Sequence, residues 1–167
     1  MTKIGLLNGP NLDRLGKREP EIYGTETLEE IERHLQSVAN ELECELFTYQ
    51  SNHEGILIDK IHEWSDSGVS GLIINPGGFT HTSVALRDAI VASNLSTVEV
   101  HISNIHSRED FRHKSLISGV ASAVIAGMGH TGYLSALNYL KQKNLKILDI
   151  SIDEGDLEDV FIKLTKN

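Results

Sequence analysis

Apolar residues along this chain follow two rhythms that take turns. Short runs rich in β-forming residues are each followed by a stretch whose apolar positions recur every three or four residues. Lys3-Ile-Gly-Leu-Leu7 reads as a first strand and ends in the breaker cluster Asn8-Gly-Pro-Asn11. Leu12 to Gly24 has no clean period, carries Gly16, Pro20 and Gly24, and reads as a long loop of the kind that is usually functional or disordered. Leu28, Ile31, Leu35, Val38 and Leu42 then line one face of a helix, with Thr27 and Glu30 as a capping box at its start. Glu45-Leu-Phe-Thr-Tyr49 is a second strand. Leu57, Ile61 and Trp64 mark a second helix, with Gly68 as its C-terminal stop.

Gly71-Leu-Ile-Ile74 is a third, buried strand, and a helix follows from about Thr82 to Ser93. Thr97-Val-Glu-Val-His101 is a fourth strand, followed by a short helical piece from Arg108 to Phe111. Ser122-Ala-Val-Ile-Ala126 is a fifth strand, and Tyr133, Leu134, Leu137 and Leu140 share one side of the helix after it. Strands alternating with helices predict an α/β fold with a parallel sheet covered on both faces. With five strands and right-handed crossovers, the expected order is the flavodoxin-like 2-1-3-4-5. One domain is expected over residues 1–145, with a C-terminal extension over 146–167 made of a short extended piece and an amphipathic helix.

Composition narrows the function classes. The chain has 167 residues, ordinary hydrophobic content and a formal net charge of −9, which argues against non-specific binding to nucleic acid or membranes. No apolar run is long enough to span a bilayer, the N-terminus turns polar too soon for a signal peptide, and Cys44 is alone. A cytoplasmic protein is expected. Positive charge is nevertheless uneven: four of the six arginines, Arg14, Arg18, Arg108 and Arg112, fall in two short segments. An acidic protein that gathers guanidinium groups in this way is suited to a small anion; a solvated basic surface is the plain alternative.

In the expected sheet the loops after strands 1, 3 and 4 emerge at one edge, where ligands bind in open α/β folds. That edge gathers Asn11, Arg18, Tyr23, Asn75, His81, His101, Ser103, Arg108 and Arg112. Each has a plainer role available, as a turn residue, a half-buried aromatic or a charged loop. A metal site is the other reading of His81, His101, His106 and His113, but their spacing matches no His-x-x-x-His or Cys/His ligand pattern. Gly127-Met-Gly-His-Thr-Gly132 matches a dinucleotide fingerprint but follows the last strand, so its glycines fit tight helix–strand packing better. A receiver domain would need an acidic residue where Asn75 stands, and a flavin carrier would need more aromatic residues than the 5% present.

Four segments are specific. Asn8-Gly-Pro-Asn-Leu12, Gly16-Lys-Arg-Glu-Pro-Glu-Ile-Tyr-Gly24, Asn75-Pro-Gly-Gly-Phe-Thr-His-Thr-Ser-Val-Ala-Leu-Arg-Asp88 and Glu99-Val-His-Ile-Ser-Asn-Ile-His-Ser-Arg-Glu-Asp-Phe-Arg-His113 resemble the type II 3-dehydroquinate dehydratases, in order and in register. The resemblance runs from about Ile4 to Leu140. It implies a flavodoxin-like lyase that converts 3-dehydroquinate to 3-dehydroshikimate without a metal or other cofactor. It also implies a homo-oligomer, a dodecamer of four trimers. Tyr23 is then the base, with Arg18 beside it favouring the phenolate. His101 is the acid, and Asn11 holds the water that stabilises the enolate. Asn75, His81, Ile102, Ser103 and Arg112 bind the small, cyclic, anionic substrate, and Asp88 reaches a neighbouring subunit's site. Glu99 orients His101, and Arg108 belongs to the segment that closes with the lid. Asp13 and Arg14 depart from the family's usual residues, and the tail after about Lys146 extends beyond the resemblance.

Physical chemistry makes these roles coherent. An ordinary tyrosine, with a pKa of about 10, is a poor base at neutral pH. A guanidinium at about 4 Å contributes roughly 4 kcal/mol to the phenolate at an effective dielectric near 20, against an opposing cost of desolvation. Arginines gathered around a tyrosine therefore have a chemical use that a surface patch lacks.

Overall fold

A computed structural model describes residues 1–17 and 19–143. The strands β1 (Thr2–Asn8), β2 (Cys44–Gln50), β3 (Gly71–Asn75), β4 (Ser96–His101) and β5 (Ala123–Ala126) form one parallel sheet in the order β2-β1-β3-β4-β5. The expected topology is thus the observed one. The helices are α1 (Pro20–Tyr23), α2 (Leu28–Glu41), α3 (Glu54–Asp66), α4 (Val84–Ser93) and α5 (Thr131–Lys143). The expected C-terminal extension lies outside the described residues. No described helix is long and apolar enough to cross a membrane.

Side-chain alternation along each strand divides the core in two. Ile4, Leu6, Ile73, Val98 and Val100 face α2 and α5, where they pack with Leu35, Tyr133, Leu137 and Leu140. Leu7, Leu72 and Ile74 face α3 and α4 and pack with Leu57, Ile61, Trp64, Leu86 and Ile90. The glycine inside β1 has a packing cause: a Cβ at Gly5 would lie 2.4 Å from the Trp64 ring. The capping box of α2 is formed, since Thr27 Oγ1 accepts from the Glu30 amide and Glu30 Oε2 accepts from the Thr27 amide. Gly68, at φ 82°, ends α3, with its amide on the Ser65 carbonyl and the Val69 amide on that of Trp64.

The Leu12–Gly24 segment has more regular structure than its sequence promised. A 3-10 turn covers Leu12–Arg14, and α1 makes a single helical turn that Pro20 opens with its fixed φ. A turn this short has no periodicity to display, so the amphipathic signal was absent. Around the fourth loop the helical piece resolves into two 3-10 turns, Ile105–Ser107 and Asp110–Arg112. Gly132 packs as expected of a close helix–strand contact: a Cβ there would touch Ile125 and Val100 at 3.3 and 3.4 Å.

Candidate active site

The carboxyl edge of the sheet is built by two breaker motifs that lock together. The Gly9 amide donates to the Asn75 carbonyl at 2.8 Å. A Cβ on Gly9 would lie 2.5 Å from the Pro76 carbonyl oxygen, and Gly77, at φ 56°, packs on Pro10. Only glycine allows both approaches. Asn11 sits in the left-handed region at φ 66°, a conformation asparagine tolerates, and its amide donates to Asn52 Oδ1 at 2.8 Å. Gln50, at the end of β2, bonds both the Gly9 carbonyl and Asn52. The loop after β1 is therefore held from β2 as well as from β3.

Above this junction lies a cleft of about 160 Å³, roughly ten times the space one water needs on the same measure. Its lining includes Asn11, Tyr23, Asn75, His81, His101, Ile102, Ser103, Arg108 and Arg112. Nearly the whole set expected at this edge from the sequence thus converges on one cavity. Arg18 lies outside the described residues. Asp88 is exposed on α4 and does not line the cleft.

Tyr23 ends α1. Arg108 Nη1 donates to its hydroxyl at 2.5 Å, with the guanidinium 5.5 Å from the ring centre. Among the described residues, Arg108 places a cation on the Tyr23 oxygen, although the sequence had suggested it only as a member of the closing segment. Burial pulls the Arg108 pKa down, but its bond to Tyr23 and the charges of Tyr23, Glu109 and Glu19 push it above the ordinary value. Glu109 Oε2 lies 3.5 Å from Arg108 Nε and accepts from Arg112 Nε at 2.8 Å, so one carboxylate spaces both arginines.

His101 and Glu99 lie two residues apart on β4 and so share a face of the sheet. His101 Nε2 meets Glu99 Oε1 at 2.7 Å. Glu99 is fully buried and also accepts from Thr80, Ser115 and Ser118. Burial alone would raise its pKa; the hydrogen bonds from His101, Ser118 and Thr80, with the charge of His101, outweigh it and hold it at about 2. Glu99 is therefore ionised at neutral pH and can only accept, so His101 Nε2 carries a hydrogen. Nδ1 is left as the nitrogen able to exchange a proton with a ligand. His81 Nδ1 is tied by the Lys114 carbonyl at 2.8 Å, which leaves its Nε2 for a ligand.

The sequence did not single out the hydroxyls of Thr80, Ser115 and Ser118, or Asn52. Serines and threonines in loops carry no distinguishing pattern, and their convergence on one carboxylate exists only in three dimensions. Among the described residues, no group of three or more His, Cys, Asp or Glu side chains is placed to hold a metal ion.

Residues 2–141 match the family model described as Dehydroquinase class II. A 3-dehydroquinate dehydratase from Halothermothrix orenii is 56% identical over 137 residues, which cover 82% of this chain and 92% of that protein. A catabolic 3-dehydroquinase from Clavispora lusitaniae is 54% identical, covering 82% of this chain and 95% of its own. The crystal structure of a type II dehydroquinase from Butyrivibrio crossotus superposes with a TM-score of 0.82 at 45% identity, covering 83% of this chain and 97% of that one.

Proposed function

The chain belongs to the class II dehydroquinase family, and on that footing we propose that it dehydrates 3-dehydroquinate to 3-dehydroshikimate by an anti elimination through an enolate. The observation that carries this reading is the shared cleft. Tyr23, with a cation on its oxygen, and His101, with an anion behind its ring, line the same cavity.

The Tyr23 phenolate takes the proton next to the substrate ketone. Arg108, and Arg18 from the same lid, compensate the negative charge the base carries. The electron pair left by that proton moves onto the ketone oxygen, where a water held by Asn11 stabilises the enolate. The enolate then collapses, the carbon–oxygen bond of the leaving hydroxyl breaks, and His101 gives that hydroxyl a proton from Nδ1. The products are the conjugated enone and one water. Because Nε2 already holds a hydrogen for Glu99, the transferable proton is the ring's second one, and Glu99 stabilises the charged ring that carries it. Asn75, His81, Ile102, Ser103 and Arg112 bind the carboxylate and hydroxyls of the substrate. The segment containing Arg18 and Tyr23 closes over it and excludes water.

Asp88 serves a neighbouring subunit's site, so the working unit is a homo-oligomer, a dodecamer of four trimers. Its position fits this role, since it lies on an outer face of α4 between the exposed Val84 and Val91. The test is an ultraviolet assay for the enone formed from 3-dehydroquinate, run with a chelator and with borohydride. Activity that survives both supports a mechanism needing neither a metal nor an imine. Loss of activity with either reagent contradicts it.

A further inference from the structure

A buried polar chain runs from Asn75 in the candidate site into the core, and beyond Asn75 none of its members has a part in the steps above. The Gly77 amide donates to Asn75 Oδ1 at 3.2 Å, and Asn75 Nδ2 donates to Tyr133 Oη at 2.8 Å. The Tyr133 hydroxyl donates to Asn8 Oδ1 at 2.9 Å, and Asn8 Nδ2 donates to Glu32 Oε1 at 3.3 Å. The first group, a backbone N–H, can only donate. The last, the Glu32 carboxyl, accepts from the Asn8 amide; burial raises its pKa, against hydrogen bonds from Thr48 and Asn8. Every bond therefore runs one way from the Gly77 end: with Asn75 Oδ1 accepting, Nδ2 donates to Tyr133, whose own hydrogen goes to Asn8 Oδ1 and leaves Asn8 Nδ2 for Glu32.

Placement explains why these groups meet. Asn8 and Asn75 end the adjacent strands β1 and β3 in register, with side chains on the face covered by α2 and α5. Tyr133 comes from the first turn of α5 and Glu32 from α2. Tyr133 is wholly buried among apolar residues such as Leu6, Ile73 and Leu137, where a phenylalanine would fill the space as well. A hydroxyl kept there costs free energy unless it is paired, and this one is paired on both sides. Burial pushes its pKa well above the ordinary tyrosine value, so it remains a neutral donor.

We propose that Tyr133 is a positioning residue that fixes the amide of Asn75. With Oδ1 turned to Gly77 and one Nδ2 hydrogen spent on Tyr133, the second hydrogen is presented as a donor to an oxygen of the bound substrate. Asn8 and Glu32 complete the device by holding the Tyr133 hydroxyl in the direction that accepts from Asn75. This inference rests on the reading of Asn75 as a substrate-binding residue. The competing role for the chain is purely structural, tying α5 to the sheet.

The two roles separate in a double-mutant cycle of Tyr133→Phe with Asn75→Ala, measured as KM and kcat for 3-dehydroquinate. Tyr133→Phe is expected to raise KM about tenfold with kcat within about twofold, the pattern of a lost uniform binding contact. In the Asn75→Ala background the same change is expected to move KM by less than about twofold. An equal rise in both backgrounds overturns the proposal, as does an unchanged KM in the otherwise native protein. If circular dichroism shows that Tyr133→Phe does not fold, Glu32→Gln carries the same cycle from the half-buried end. A glutamine amide can be turned to donate instead of accept, so the hold on the Asn8 amide, and through it on the Tyr133 hydroxyl, loosens, and KM is expected to rise about threefold only where Asn75 is present. A rise independent of Asn75, or none, again overturns the proposal. A native protein that does not turn over 3-dehydroquinate overturns the functional reading itself and this inference with it; an active one with an additive cycle overturns the inference alone.

Discussion

At Glu99 a carboxylate shielded from solvent meets three hydroxyls and an imidazole, and that cage has a thermodynamic signature. Its pKa is held at about 2, below the usual 4.5, so folding is favoured wherever the carboxylate is ionised. That contribution, of order 3 kcal/mol, is fully present above about pH 4.5 and is lost as pH falls toward 2. Glu99→Gln is expected to lower the urea midpoint at pH 7 and to flatten its decline between pH 4.5 and 2; an unchanged profile would mean that the cage adds nothing to stability. The same change removes the anion behind His101 and should reduce kcat about a hundredfold. Arg108→Ala removes the guanidinium that donates to the Tyr23 oxygen and is expected to cost about ten- to a hundredfold in kcat/KM. Steady-state kinetics with undiminished efficiency would instead make that bond incidental.

Among the elements, the junction of the loops after β1 and β3 is the most constrained. Gly9→Ala forces a methyl group against the Pro76 carbonyl and should destabilise by at least about 2 kcal/mol, read as a lower thermal midpoint. An unaltered midpoint would show that the two loops can separate freely. The elements themselves were legible because their signals are local and repeated. Leu28 to Leu42 showed a helical face, Gly71 to Ile74 an uninterrupted apolar run, and Gly68 a stop. What stayed hidden has no local pattern. The single turn α1 is too short to show a period. Arg108, which puts a cation on the Tyr23 oxygen, lies 85 positions later in the chain. Tyr133 looked like one more apolar position on α5, because its hydroxyl acts across the sheet rather than along the helix. Asn8 carried the appearance of a turn residue and is in fact wholly buried.

For the whole molecule, the strand order brings the ends of β1, β3 and β4 side by side, so segments distant in sequence converge on one cleft. Asp88 stands apart from that convergence, exposed on α4. Sedimentation is therefore expected to give a species several times the 18.5 kDa protomer, and a fully active monomer would remove the role proposed for Asp88. The central claim is that Tyr23 is the base. The most direct test is the turnover number of Tyr23→Phe in the enone assay with saturating 3-dehydroquinate, on protein whose circular dichroism matches the native form. A loss of about a thousandfold or more is predicted, since the phenol oxygen is the only group removed. Near-native turnover would contradict the account, because proton abstraction would then belong to another residue.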